Sequence, residues 1–239
     1  KEIMKKIFLI ISVIALSLFY SAGVFAEGTY ADDVALLKGL EIYPSDFEKA
    51  EDEKVTRADY IKYILSFRGI NSSFAESAGF YDVDDLAKYA DAVNLGAAMG
   101  LVSGFPDGSY EPNEPIIYDH AIKVMVSALG GDLLIKSGRS TVSNLAVRFG
   151  ITQNAGANDE LTYRMLTTLL RKSLFASPII AGSDGNYDFG DKDALWYYHK
   201  TEKVKGIVSA NYITGLLGKE YKTPSYGYIR VGNTVMKYD

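Results

Sequence analysis

Apolar residues recur at three- and four-residue spacing in six stretches of the chain, the mark of amphipathic helices with one buried face. The six come in pairs. The first pair runs over Asp33–Leu40 and then Ile61, Ile64 and Leu65. The second has Ala92, Leu95 and Met99, then Ile122, Met125, Val126 and Leu129. The third has Val142, Leu145, Ala146 and Phe149, then Leu166, Leu169, Leu170 and Leu174. The first member of each pair closes on a glycine and an apolar residue (Gly39-Leu40, Gly100-Leu101, Gly150-Ile151), as helix C-termini do. The second member opens at Thr56, Ile117 or Thr162, at spacings of 117 − 56 = 61 and 162 − 117 = 45 residues. Thr56 with Asp59 three residues on predicts a capping-box-like start, the Asp standing in for Glu. The pattern therefore predicts three diverged helix–loop–helix units with loop insertions. One such unit cannot bury its stripe alone, so the copies must pack on each other.

The middle unit carries the clearest link. Phe105-Pro106-Asp107-Gly108 combines the turn formers, with proline presetting φ, Asp bonding its own backbone and Gly supplying positive φ. Pro112 and Pro115 hold the following piece extended and bar a helix until after Pro115. From Ser177 the texture changes. Ala194–Tyr198 reads as a short helix or strand, Gly206–Ile213 as a strand, and Tyr226–Val231 with Thr234–Met236 as a hairpin around Gly232-Asn233. The fold class expected is mainly α, followed by a small β-rich segment over 177–239 that could begin a further module.

Ahead of these units, Lys5 and Lys6 precede an apolar run that ends Val24-Phe25-Ala26, the layout of a secretory signal peptide over 1–26 cut after Ala26. The run is nearly long enough to span a bilayer, so a retained anchor is the alternative reading. With cleavage, contact with the membrane is transient. The chain has 239 residues, 25 Lys and Arg against 30 Asp and Glu, and a formal charge of −5. It shows no basic stripe, which argues against a nucleic-acid partner. Cysteine is absent, excluding disulfides, thiol nucleophiles and thiolate metal sites. The two histidines, His120 and His199, have no zinc-site spacing, and the acidic run Asp184–Asp188 lacks the glycine and glutamate of a calcium loop. No catalytic motif occurs, so neither an enzyme activity nor a cofactor is expected.

Phe80-Tyr81-Asp82-Val83, the stretch Gly100-Leu101-Val102-Ser103-Gly104 with the turn at Phe105–Gly108, and Thr56-Arg57-Ala58-Asp59 together resemble the S-layer homology family. The resemblance covers about residues 28 to 176, with only the middle copy complete. The first copy lacks the lead motif and the Pro-Asp-Gly turn, and the third lacks the turn. The resemblance implies three repeats (28–72, 78–130 and 138–176) in a pseudo-threefold bundle with grooves between neighbours. It implies an exported protein at the cell wall or surface layer, anchored non-covalently to an acidic secondary cell wall polysaccharide, pyruvylated in many members. The alternatives are an assembly subunit that packs on other surface-layer proteins, and the anchoring part of an exported enzyme whose catalytic region lies beyond residue 239.

The resemblance also proposes a ligand set: Arg57, Thr56, Asp59, Asp82, Gly104, Phe105, Asp107, Gly108, Tyr118 and Tyr163. Arg57 has a physical case of its own. A cation at a helix start opposes the macrodipole, which makes sense if an anion shares the site with the guanidinium and open backbone N–H groups. Pairing with Asp32, Asp33 or a loop glutamate is the competing reading. Tyr118 and Tyr163 take the arginine position in the other copies and bring a phenol but no charge. Asp82 either shapes a groove or caps the helix after it, and Asp107 and Gly108 are turn formers first.

Overall fold

The computed structural model describes residues 29–70, 75–182 and 185–200, together with the backbone of three strands nearer the C-terminus. The leader expected over 1–26 lies outside the described residues. The chain divides into two compact units, the first ending at Ala194 and the second running from Leu195 to Asp239.

The first unit is mainly helical. In order it contains α1 (Tyr30–Gly39), α2 (Arg57–Phe67), α3 (Ala90–Ala98), α4 (Tyr118–Ala128), α5 (Asp132–Lys136), α6 (Val142–Arg148) and α7 (Tyr163–Leu174). The hairpin β1 (Ile179–Ala181) and β2 (Tyr187–Phe189) follows, antiparallel with Ile179 opposite Phe189. This unit thus continues past the boundary at 177 that the change of texture suggests. Threonine hydroxyls cap four of the helices: Thr29, Thr56, Thr141 and Thr162 each accept the N–H three residues on. Only Thr29 completes a reciprocal box, with Asp32. The box expected at Thr56 is not formed, because Asp59 turns its carboxylate elsewhere. Likewise Gly39 is the last residue of α1 rather than its left-handed cap, which is Glu41 at φ 57.

The centre of the unit is a ring of backbone hydrogen bonds. The N–H of Val55 donates to the carbonyl of Leu161, that of Leu161 to Ile116, and that of Ile116 back to Val55, at 2.9, 2.8 and 2.9 Å. All three side chains are buried. Each residue stands just before the cap of α2, α4 or α7, so the ring joins three helix starts. The same relation repeats one step further out. Arg57 and Ala58 donate their N–H groups to Glu114 and Pro112, Tyr118 and Asp119 to Asp159 and Ala157, and Tyr163 and Arg164 to Glu53 and Glu51. Short β-bridges flank the ring at Thr56–Pro115, Ile117–Glu160 and Lys54–Thr162.

Helix packing follows the ring. The principal pairs are α7 on α1, α2 on α3 and α4 on α6, with α2 also touching α4. Each main pair crosses from one sequence unit to another. Loop-connected helices are therefore not the principal packing partners, and the apolar stripes are buried between helices distant in sequence. Ile61, Leu65, Val93, Met125, Leu145, Leu166 and Leu170 are all buried in these interfaces.

In the second unit α8 (Ala194–His199, beginning at the boundary) settles the helix-or-strand choice in favour of a helix. β3 (Val208–Asn211), β4 (Gly227–Val231) and β5 (Thr234–Tyr238) form an antiparallel sheet in that order. Val231 lies opposite Thr234, the register expected of a tight hairpin. Among the described residues no helix is long and apolar enough to cross a membrane, and no acidic or histidine cluster suits a metal ion.

Candidate functional site

A cavity of about 230 Å³ opens where α2 and α4 converge on the middle loop. Arg57 and Tyr60, three residues apart on α2, form one wall. His120, Lys123 and Val124, on one face of α4, form the other. The floor is Leu101–Pro106 with Tyr110 and Ile116. No aspartate or glutamate lines the cavity, although the chain carries net negative charge.

Arg57 is held from behind. Its Nε donates to the Tyr110 carbonyl at 2.7 Å, and its guanidinium carbon lies 4.8 Å from the ring centroids of both Phe105 and Tyr110. Among the described residues no carboxylate pairs with it. Of the partners considered from sequence, Asp32 caps Thr29, Asp33 pairs with Arg171 at 3.1 Å, and the loop glutamates Glu51 and Glu53 pair with Arg164 and Lys49. The Tyr110 hydroxyl donates to the Arg57 carbonyl, and burial pushes its pKa up to about 12 despite the opposing pull of the Arg57 charge.

Asp82 fixes the segment that holds Arg57. Its two carboxylate oxygens accept the N–H groups of Tyr110 and Glu111 at 2.8 and 2.7 Å. This clasp holds Glu111 at φ 59, a left-handed conformation unusual for a residue with a side chain. Asp82 thus caps no helix; it places the Tyr110 carbonyl against Arg57.

The turn closes as its residues predict. The N–H of Gly108 donates to the Phe105 carbonyl at 3.0 Å, with Gly108 at φ 89. Asp107 accepts from the Ser109 N–H and hydroxyl, which hold its carboxyl below the ordinary range. Gly104 is required by packing, since a Cβ there would strike the Phe80 ring and the Ser109 carbonyl. Of the ligand set proposed from sequence, the structure brings Arg57, Gly104 and Phe105 to the cavity.

The others serve the frame. Thr56 caps α2 through its hydroxyl. Asp59 accepts from the Tyr163 hydroxyl at 2.9 Å. Asp107 and Gly108 build the turn and do not line the cavity. Tyr118 is buried, and its hydroxyl accepts the Gln153 N–H at 2.6 Å. Tyr163 is fully buried against Phe47 and Tyr63, and burial, reinforced by Tyr63 and Asp59, raises its pKa far above the ordinary phenol. The start of α2 offers no open amide of the kind envisaged for an anion. The first two N–H groups of α2 reach Glu114 and Pro112, and the third is capped by Thr56. Binding chemistry at this site therefore rests on side chains.

Sequence reasoning missed His120, Lys123, Tyr60 and Ser103. His120 occupies the position of Asp59 in α2, counting from the ring residues, and lies three residues before Lys123 on the same face. That alignment was available in the sequence. The convergence of α4 with α2 was not, because it depends on packing between copies.

The family model for the S-layer homology domain matches residues 79–122, the segment that contains the Asp82 clasp, the turn, Tyr110 and His120. Three surface proteins are similar over longer stretches. The middle cell wall protein of Brevibacillus brevis is 28% identical over 163 residues, covering 64% of this chain and 15% of that protein. The surface layer protein of Brevibacillus choshinensis is 30% identical over 159 residues, covering 62% and 14%. The cell surface protein of Thermoanaerobacter kivui is 29% identical over 143 residues, covering 53% and 19%. The chain thus spans less than a fifth of the length of these relatives. The S-layer homology match is thus centred on the segment that builds the cleft, and the similar proteins are proteins of the cell wall or cell surface.

Proposed function

We propose that this chain holds an acidic cell wall polysaccharide non-covalently in the Arg57 cleft, and that it does so as a structural, non-catalytic module. The observation that carries the reading is the state of Arg57. A half-buried guanidinium, braced by a carbonyl and two rings and paired with no carboxylate among the described residues, suits a carboxylate supplied by a ligand. The aromatic rings of Phe105 and Tyr110 beside it suit the apolar face of a sugar.

The proposal includes an architecture: three copies of one unit about a pseudo-threefold axis through the ring of Val55, Ile116 and Leu161. The cyclic hydrogen bonds and the matching donor pairs at the three helix starts support it. The grooves of this triplet are not equivalent, and only the one at Arg57 keeps a cation at the arginine position. One ligand site among the described residues follows.

The test is sedimentation of the full chain with purified cell walls, before and after their acidic polymer is stripped. The expected result is binding to intact walls, loss on stripping, and loss for Arg57→Gln with an unchanged melting curve. Equal sedimentation of Arg57→Gln with intact walls would remove the cleft from the account. Sedimentation without walls would favour self-assembly instead.

A further inference from the structure

Resting on the reading of Arg57 as a carboxylate site, we infer that His120 and Lys123 form a second anion contact at the cleft mouth. The cleft then prefers a glycan segment bearing two acidic groups over one bearing a single group.

His120 is the third residue of α4, and Lys123 and Val124 follow at three and four residues, so the three share a face. That face lines the cavity opposite Arg57 and Tyr60 of α2. His120 and Lys123 are exposed, whereas Arg57 is half-buried, which puts one cation deep and two groups at the rim. The corresponding position in α2 is Asp59, whose carboxylate binds Tyr163, and in α7 it is Met165. At this junction alone the position carries a group that can become cationic.

The charged and titratable surroundings all favour an anion. From α2 the cavity receives Arg57 and the Tyr60 phenol, which burial keeps neutral and which donates to the Ala121 carbonyl. From the middle loop it receives Tyr110, also neutral at ordinary pH. From α6, which packs on α4, no titratable residue lines it. A lysine fixes one positive charge at the rim, and histidine is the side-chain type that can gain a second as pH falls from about 8 to about 5. Sugar carboxylates remain ionised over that interval, so the ligand's charge stays constant while the protein's changes.

The probes are galacturonate, digalacturonate and neutral maltose, titrated into the ¹⁵N-labelled full chain and its variants at pH 5.5 and 7.5 by NMR. Digalacturonate is expected to bind more tightly than galacturonate, by about threefold at pH 7.5 and more at pH 5.5, as exposed charge pairs contribute modestly. Lys123→Gln should remove the preference seen at pH 7.5. His120→Gln should remove only the extra gain at pH 5.5, a readout that a purely structural histidine would not move. Two outcomes overturn the inference while leaving the Arg57 reading intact. One is equal affinity for the two acids with binding still abolished by Arg57→Gln. The other is a pH-dependent gain that persists in His120→Gln. Binding insensitive to Arg57→Gln, or no acid bound above maltose, overturns both.

Discussion

The Arg57 junction and the Tyr163 junction occupy the same place at two of the helix starts joined by the ring and have opposite interiors. Both residues open a helix that follows a ring residue, and both donate their N–H to a carbonyl distant in sequence, that of Glu114 or Glu53. At Arg57 the facing loop is Ser103–Tyr110, whose glycine and turn leave an open cavity beside the guanidinium. At Tyr163 the facing segment carries Tyr43 and Phe47, stacked 3.9 Å apart, and the Tyr163 ring packs edge-on against Phe47. Tyr118 closes its junction similarly, through the Gln153 backbone. A tyrosine in the arginine position fills the space that stays open beside Arg57. On the proposed reading the two junctions divide the work, one contributing recognition and the other cohesion.

The strongest way to probe that division is alkali. The Tyr43 and Tyr60 hydroxyls are fully buried, and burial raises both above the unfolded value of about 10. A group whose folded pKa is raised keeps its stabilisation below the unfolded pKa and loses it as pH climbs. Stability should therefore hold to about pH 10 and then fall by roughly 1.4 kcal/mol per pH unit for each such hydroxyl. Urea titrations at pH 8 and pH 11, read alongside tyrosinate absorbance, check this. Full ionisation of the tyrosines without unfolding would show that the closed junctions are not cohesive.

Truncating the plug comes next. Tyr163→Ala should cost about 3–5 kcal/mol, the range for a large buried ring. Tyr163→Phe keeps the ring but strips Asp59 of its donor, for a loss of about 1–2 kcal/mol. Thermal or chemical denaturation separates the two, and neither variant should weaken glycan binding in the folded protein. Lost binding by folded Tyr163→Phe would mean the junctions are coupled.

This comparison explains what could and could not be read ahead of the coordinates. The helices were legible because each stripe faces a core whatever the partner, and the turn because Pro106, Asp107 and Gly108 dictate local geometry. The open and closed junctions were not, because they depend on which copy packs on which. Arg57 looked ambiguous until Asp32 and Asp33 were placed with other partners. Thr56 and Asp59 looked like a capping box because sequence spacing cannot show that Tyr163, 104 residues away, takes the carboxylate. Asp82 looked like a cap for the same reason: its acceptors' partners lie 28 and 29 residues on.

Asp82→Ala tests the brace rather than the contact. It leaves the N–H groups of Tyr110 and Glu111 without their acceptor and releases the strained Glu111, at about 1–3 kcal/mol. It should also weaken glycan binding, although Asp82 does not line the cavity, because the Tyr110 carbonyl no longer fixes Arg57. A double-mutant cycle with Arg57→Gln should show binding losses well short of additive. Additive losses would mean that Asp82 acts independently of the guanidinium.

The smallest stability effect is the most telling. Arg57→Tyr writes into the open junction the residue that the other two already carry. If the guanidinium were a strut, its removal would break the bond to the Tyr110 carbonyl and leave the helix start loose. The backbone argues otherwise. The Arg57 N–H is held by Glu114 whatever the side chain, Thr56 caps the helix, and the ring bonds of Val55 and Ile116 do not involve it. A phenol against Phe105 and Tyr110 also recovers apolar contact that the cavity now leaves unmade. The expected change in unfolding free energy is therefore within about 0.5 kcal/mol, the ordinary scale for a substitution outside a core or network, with wall binding lost. A larger destabilisation would make Arg57 a part of the frame and erase the contrast between the two junctions.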